Sequence, residues 1–143
     1  MVESNLSDLG RQIRFCSEPA TKWNVLKSLN NGCKMLHFTG HSCPDYLVFE
    51  DGEAWRCGVA ENLNKKGLKE LFNDGAAKPE LVFLASCYSQ IHGDTLANAG
   101  VPHVVAVESN AEISDEAARL FSRIFYHALI VPKQTVKDAF DIA

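Results

Sequence analysis

Two reactive side chains stand at matching places in two similar stretches of the chain. Leu81-Val-Phe-Leu-Ala85 is a short apolar run that breaks into Ser86-Cys87 and stays polar through Ser89 and Gln90. Lys34-Met-Leu-His-Phe-Thr-Gly-His41 is a second such run, and it ends in Gly40-His41-Ser42. A continuous apolar run of this length, bounded by Pro79 on one side and polar residues on the other, reads as a buried parallel strand. Open parallel sheets bind ligands beyond the carboxyl ends of their strands. A thiol is a nucleophile only as its thiolate, and a nearby imidazole supplies or stabilises that state. Two strands of one sheet are therefore expected to deliver His41 and Cys87 to the same edge as a dyad. The plainer reading makes Cys87 a small packed residue at a strand end and His41 a turn residue.

Other constellations are weaker. Cys33, His37, His41 and Cys43 have a ligand-like order, but along a strand at about 3.3 Å per residue positions 33 to 41 spread over more than about 20 Å, too far for one zinc ion. Ser42, Ser86 and Ser89 lack the G-x-S-x-G elbow of a serine hydrolase. Gly40 and Gly93 belong to no phosphate-binding loop, and no cofactor is implied. There is no C-x-x-C pair to support thiol redox chemistry. Cys16 and Cys57 read as packed thiols, and His92, His103 and His127 have no partner suggested by spacing. Asp45, Asp94 and Glu108 lie near strand ends, where they either line a cleft or stand solvated in loops.

The elements needed to position the dyad can be read in order. Residues 1–10 are a polar lead-in, and 11–143 the domain. Residues 11–16 form a brief strand. Thr21 caps a helix with Trp23, Leu26 and Leu29 on one face, stopping at Asn30-Asn31-Gly32. Tyr46–Glu50 and 53–57 flank Asp51-Gly52, the signature of a tight hairpin. Residues 60–73 form an amphipathic helix, and 95–99 a short helix closed by Gly100. A third buried strand covers 101–107. Ser114 caps a long helix to about Ile130, and a last helix spans 134–143. Strands alternating with helices imply right-handed crossovers and a mostly parallel sheet, an α/β fold with four sheet strands.

At 143 residues, with 46% hydrophobic and 22% charged content, the chain is one ordinary globular domain. A formal net charge of −4 without a basic run disfavours nucleic acid or an anionic membrane as partner. No apolar stretch approaches a membrane span, and the N-terminus is not a signal peptide. Five cysteines without a framework spacing suit reduced thiols, and a cytoplasmic location is expected.

Taken together, Leu36-His-Phe-Thr-Gly-His41 and Leu81-Val-Phe-Leu-Ala-Ser-Cys-Tyr-Ser89 resemble the CHAT domain, a caspase-like cysteine peptidase family of the clan of caspases, metacaspases and separases. Leu47-Val-Phe-Glu-Asp-Gly52 looks like that family's hairpin, and Gly100-Val-Pro-His-Val-Val-Ala106 like its next strand. Ser114 to Leu129 is similar to its long helix, and Val136-Lys-Asp-Ala139 to its closing helix. The resemblance covers roughly residues 11–143. It implies a three-layer α/β/α caspase-like sandwich, incomplete at both ends and lacking an initial strand and helix and a final strand.

The chemistry implied is peptide-bond hydrolysis by a His41–Cys87 dyad, with the backbone N–H groups of Ser42 and Cys87 as oxyanion donors. Gly40, Ala85, Ser86, Asp45 and Glu108 become candidates for the substrate cleft. The partner is a protein or peptide substrate, with a regulatory protein or repeat domain beside it, since domains of this family often adjoin such regions. Two departures stand out. Ser42 replaces the usual glycine after the histidine, and Ala85 replaces the acidic residue that metacaspases carry two before the nucleophile. The competing class is a catalytically silent caspase-like fold that serves as a protein-interaction module.

Overall fold

The computed structural model describes residues 2–6 (backbone only), 13–52, 58–108, 110–131 and 134–143. In chain order the elements are β1 (Val2–Leu6), β2 (Ile13–Ser17), α1 (Lys22–Asn30), β3 (Met35–Thr39), β4 (Ser42–Cys43), β5 (Tyr46–Glu50) and β6 (Ala60–Asn64). There follow α2 (Lys65–Asp74), β7 (Leu81–Ala85), α3 (Gln90–Asn98), β8 (His103–Ala106), α4 (Asp115–Ile130) and α5 (Val136–Ile142). They group into two compact units, one of residues 20–113, the other of the chain up to Pro19 with Ser114–Ala143.

Within the first unit, the apolar runs form a parallel sheet of order β3-β7-β8. β7 is central and buried at all five residues, as its uninterrupted Leu-Val-Phe-Leu-Ala requires. Its register pairs Met35 with Leu81 and Thr39 with Ala85. Leu36 and Phe38, Val82 and Leu84, and Val104 and Ala106 alternate along their strands and share one face of the sheet. Against them pack Leu29 of α1, Leu68 and Phe72 of α2, Leu96 of α3, and Phe49 and Leu63 of a small antiparallel sheet, β4-β5-β6. Each of these fully buried leucines or phenylalanines adds about 1.5–3 kcal/mol. The result is a mixed α/β sandwich architecture, as expected from the alternation of strands and helices.

The helix caps follow sequence chemistry. Thr21 Oγ1 accepts the Asn24 N–H at 3.0 Å and starts α1. Asn64 Oδ1 accepts the Gly67 N–H at 2.9 Å and starts α2. Gly100, with φ of 95°, takes the left-handed conformation that ends α3. In the second unit, Ser114 caps α4, whose first turn carries Asp115 and Glu116 at the positive end of the helix dipole. Phe121 of α4 meets Phe140 of α5 edge-on, with ring centroids 5.4 Å apart. Among the described residues no helix is long and apolar enough to cross a membrane.

Several elements differ from expectation. Val2–Leu6, within the expected polar lead-in, is a strand paired antiparallel with β2, so the early strand belongs to a two-stranded hairpin and the parallel sheet has three strands, not four. Backbone pairing with a neighbour, which polar side chains do not forbid, makes that strand. The second run of the expected hairpin, 53–57, lies outside the described residues. Among the described residues β5 pairs with β4 on one side and with β6 on the other, with Glu50 opposite Ala60 and Leu47 opposite Leu63. Residues 60–64, expected in a helix, are therefore strand, and α2 begins only at Lys65. α3 begins at Gln90, five residues earlier than expected, and α5 spans Val136–Ile142. Trp23 is exposed, while Leu29 on the same helix is fully buried.

Candidate active site

Both elements that carry the expected dyad stop together. β3 ends at Thr39 and β7 at its partner Ala85, so His41 and Cys87 each lie two residues past a paired strand end. Neighbouring strands run about 4.8 Å apart. The two loops stay joined past the strands, because the Ser42 hydroxyl donates to the Cys87 carbonyl. Ser42 on one side thus meets Cys87 on the other. His41 is exposed, Cys87 half-buried, and Ala85 and Ser86 buried.

The His41 segment is fastened at three successive residues. The His41 carbonyl accepts the Val48 N–H at 2.9 Å. Ser42 holds Cys87, and the Cys43 carbonyl lies 2.8 Å from Nε2 of His92 on α3. Because a carbonyl only accepts, Nε2 of His92 carries the proton. The His92 ring is fully buried, and its Nδ1 has no hydrogen-bond partner among the described residues. Burial holds its pKa below the ordinary histidine value, and Lys65 acts in the same direction. The Cys43 carbonyl and Asp45 oppose them.

Cys87 sits in a sharp strand-to-helix turn. Tyr88, the next residue, has φ of 54°, a left-handed conformation uncommon for a side chain of this size. Its N–H donates to the Ala111 carbonyl at 3.1 Å. Its hydroxyl donates to Glu112 at 2.6 Å, a bond that raises the phenol pKa. Ser89, fully buried, donates to the Leu84 carbonyl at 3.2 Å and accepts the Val107 N–H at 3.0 Å, tying the turn to both β7 and the end of β8. The Cys87 thiol directs its weak donor at the Ile113 carbonyl, 3.8 Å away.

The remaining expected cleft residues divide. Asp45 occupies the exposed turn between β4 and β5, and its charge is felt by His92. Glu108 is exposed and lines a cavity of about 500 Å³ with Gln90, Asp94 and Val104; neither His41 nor Cys87 borders that cavity. The buried Ser86 hydroxyl has no hydrogen-bond partner among the described residues. Among the described residues no three His, Cys, Asp or Glu side chains are grouped as metal ligands. Cys33 instead donates to the Met35 carbonyl at 3.1 Å, and His37 stacks on Phe83 with centroids 4.7 Å apart.

Sequence reasoning missed Tyr88, Ser89 and His92 as parts of this site. Ser89 had been weighed only as a nucleophile, and spacing offered His92 no partner. The one available signal was position, since all three follow Cys87 within a turn and a half of chain.

No curated protein matches the chain. The CHAT domain family, one of caspase-like fold, does, over residues 2–141. The chain belongs to the CHAT domain family.

Proposed function

We propose that the protein is a cysteine endopeptidase with Cys87 as nucleophile and His41 as its proton acceptor and donor. The observation that carries this reading is the shared register of β3 and β7, which sets the two residues equally far past paired strand ends and joins their loops through Ser42. An exposed imidazole and a half-buried thiol suit an incoming peptide, which must reach both.

In the reaction, His41 takes the thiol proton as Cys87 Sγ bonds to the scissile carbonyl carbon. The backbone N–H groups of Cys87 and Ser42 are the donors for the oxyanion that forms. His41 then gives its proton to the amine as the carbon–nitrogen bond breaks. Water, deprotonated by the same imidazole, hydrolyses the thioester. Ser42 keeps a backbone donor where the family usually has glycine, and its hydroxyl adds a fixed link to the nucleophile's own carbonyl. The substrate is a protein or peptide, and adjoining segments or a partner protein are the expected source of control.

The test is cleavage of a mixture of unstructured peptides of varied sequence, followed by mass spectrometry. Cys87→Ala should abolish cleavage, and His41→Ala should slow it by about 10²–10⁴-fold. Cleavage that survives Cys87→Ala would remove Cys87 as the nucleophile, and no cleavage by the wild-type protein with any peptide would leave a silent CHAT fold whose work is binding.

A further inference from the structure

His92 is the buried titratable group that the peptidase reading leaves without a task. It is fully buried on α3, the helix that begins where the Cys87 turn ends, yet its one hydrogen bond reaches across to the segment carrying His41. A buried imidazole with an orphaned Nδ1 costs free energy that a leucine of similar size would not. Its bond to the Cys43 carbonyl is what it supplies in return.

We infer that His92 is a positioning residue for the dyad: its Nε2–H clamps the Cys43 carbonyl and so fixes the 41–43 segment against the helix that follows the nucleophile. The inference rests on the His41–Cys87 reading and extends it. Ser42 ties the His41 segment to the Cys87 carbonyl, and His92 ties it to the first turn of α3. Two side-chain bonds from successive residues, made to both sides of the nucleophile turn, leave the segment little freedom to slide or rotate. Without His92, the Ser42 bond alone would tie the segment to the nucleophile turn, since the bond from Val48 N–H to the His41 carbonyl runs to β5 instead. His92 touches no substrate and moves no proton; it acts through His41.

Neighbouring charges fit that role. Asp45 and Lys65 both act on the ring, in opposite senses, and burial prevails over the carbonyl and Asp45 in keeping it neutral. A neutral ring with its proton on Nε2 is the form that can hold the carbonyl. Glutamine in its place can aim a carboxamide N–H at the same oxygen, whereas leucine fills the space and leaves the carbonyl without its donor.

The test is the rate of Cys87 alkylation by iodoacetamide as a function of pH, read by peptide mass spectrometry on the full chain. His41→Ala should lower the neutral-pH limb of the profile. His92→Leu should move it the same way and slow the reaction at pH 7 by about three- to tenfold. His92→Gln should restore it. In the His41→Ala background, His92→Leu should add nothing, as expected for a residue acting through another. The exposed Cys16 serves as a control for general loosening. A His41→Ala profile identical to wild type would remove the dyad and the clamp together. A shift with His41→Ala but none with His92→Leu would remove the clamp alone. Should the leucine variant not fold, nitrogen NMR of the wild-type ring decides: protonation at Nε2 is required, and at Nδ1 would overturn the inference.

Discussion

Ser42 and His92 show how much of this site depends on side chains that perform no chemistry. Each directs its polar group to a backbone carbonyl, and the two carbonyls belong to the segments that carry His41 and Cys87. The pH dependence of stability follows from the same ring. Burial holds His92 below its ordinary pKa, so below about pH 6.5 the unfolded chain binds a proton that the folded protein refuses. The unfolded state then binds more protons, and stability falls as pH drops through 6.5 toward the folded value; above pH 7 the effect vanishes. His37 is pushed in the same direction by burial and adds to the slope. Urea midpoints at pH 7.5 and 5 should therefore differ more in wild type than in His92→Gln. Equal differences would assign the slope to other groups.

At the level of elements, the turn after β7 is held by Ser89 as much as by chain stiffness. Ser89→Ala removes the partner of both the Leu84 carbonyl and the Val107 N–H, and should lower unfolding free energy by about 1–3 kcal/mol in urea titration. A loss under about 0.5 kcal/mol would mean that water or the backbone takes over both bonds. Elements whose own side chains dictate them were legible in the sequence. β7 is an unbroken apolar run, and Thr21 and Ser114 cap helices at the expected residues. β6 was not legible, because its strand state comes from pairing with β5 and only Leu63 is buried within it. Leu63, Leu68, Leu71 and Phe72 imitate a single helical stripe across what is in fact a strand followed by a helix. The candidate dyad could be seen at strand ends, whereas the bonds that brace it join residues whose meeting depends on the tertiary fold.

For the molecule as a whole, protection should be uneven. β7 is paired on both sides and buried throughout, while β1 and β2 form a two-stranded sheet of a kind that is marginal alone. Amide exchange should thus be slowest in β7 and faster by at least about tenfold in β1–β2; equal protection would show that the hairpin is held as firmly as the core. The make-up of the two units also has a bearing on biosynthesis. The unit that holds His41, Cys87 and His92 is one unbroken stretch, residues 20–113, whereas the other is assembled from both ends of the chain. A ribosome delivers the first unit whole while α4 and α5 are still being made. The β1–β2 hairpin, although synthesised before that stretch, must wait for α4 and α5 before its unit is complete. The part of the chain that bears the proposed chemistry can be in place before the two segments of the other unit have met.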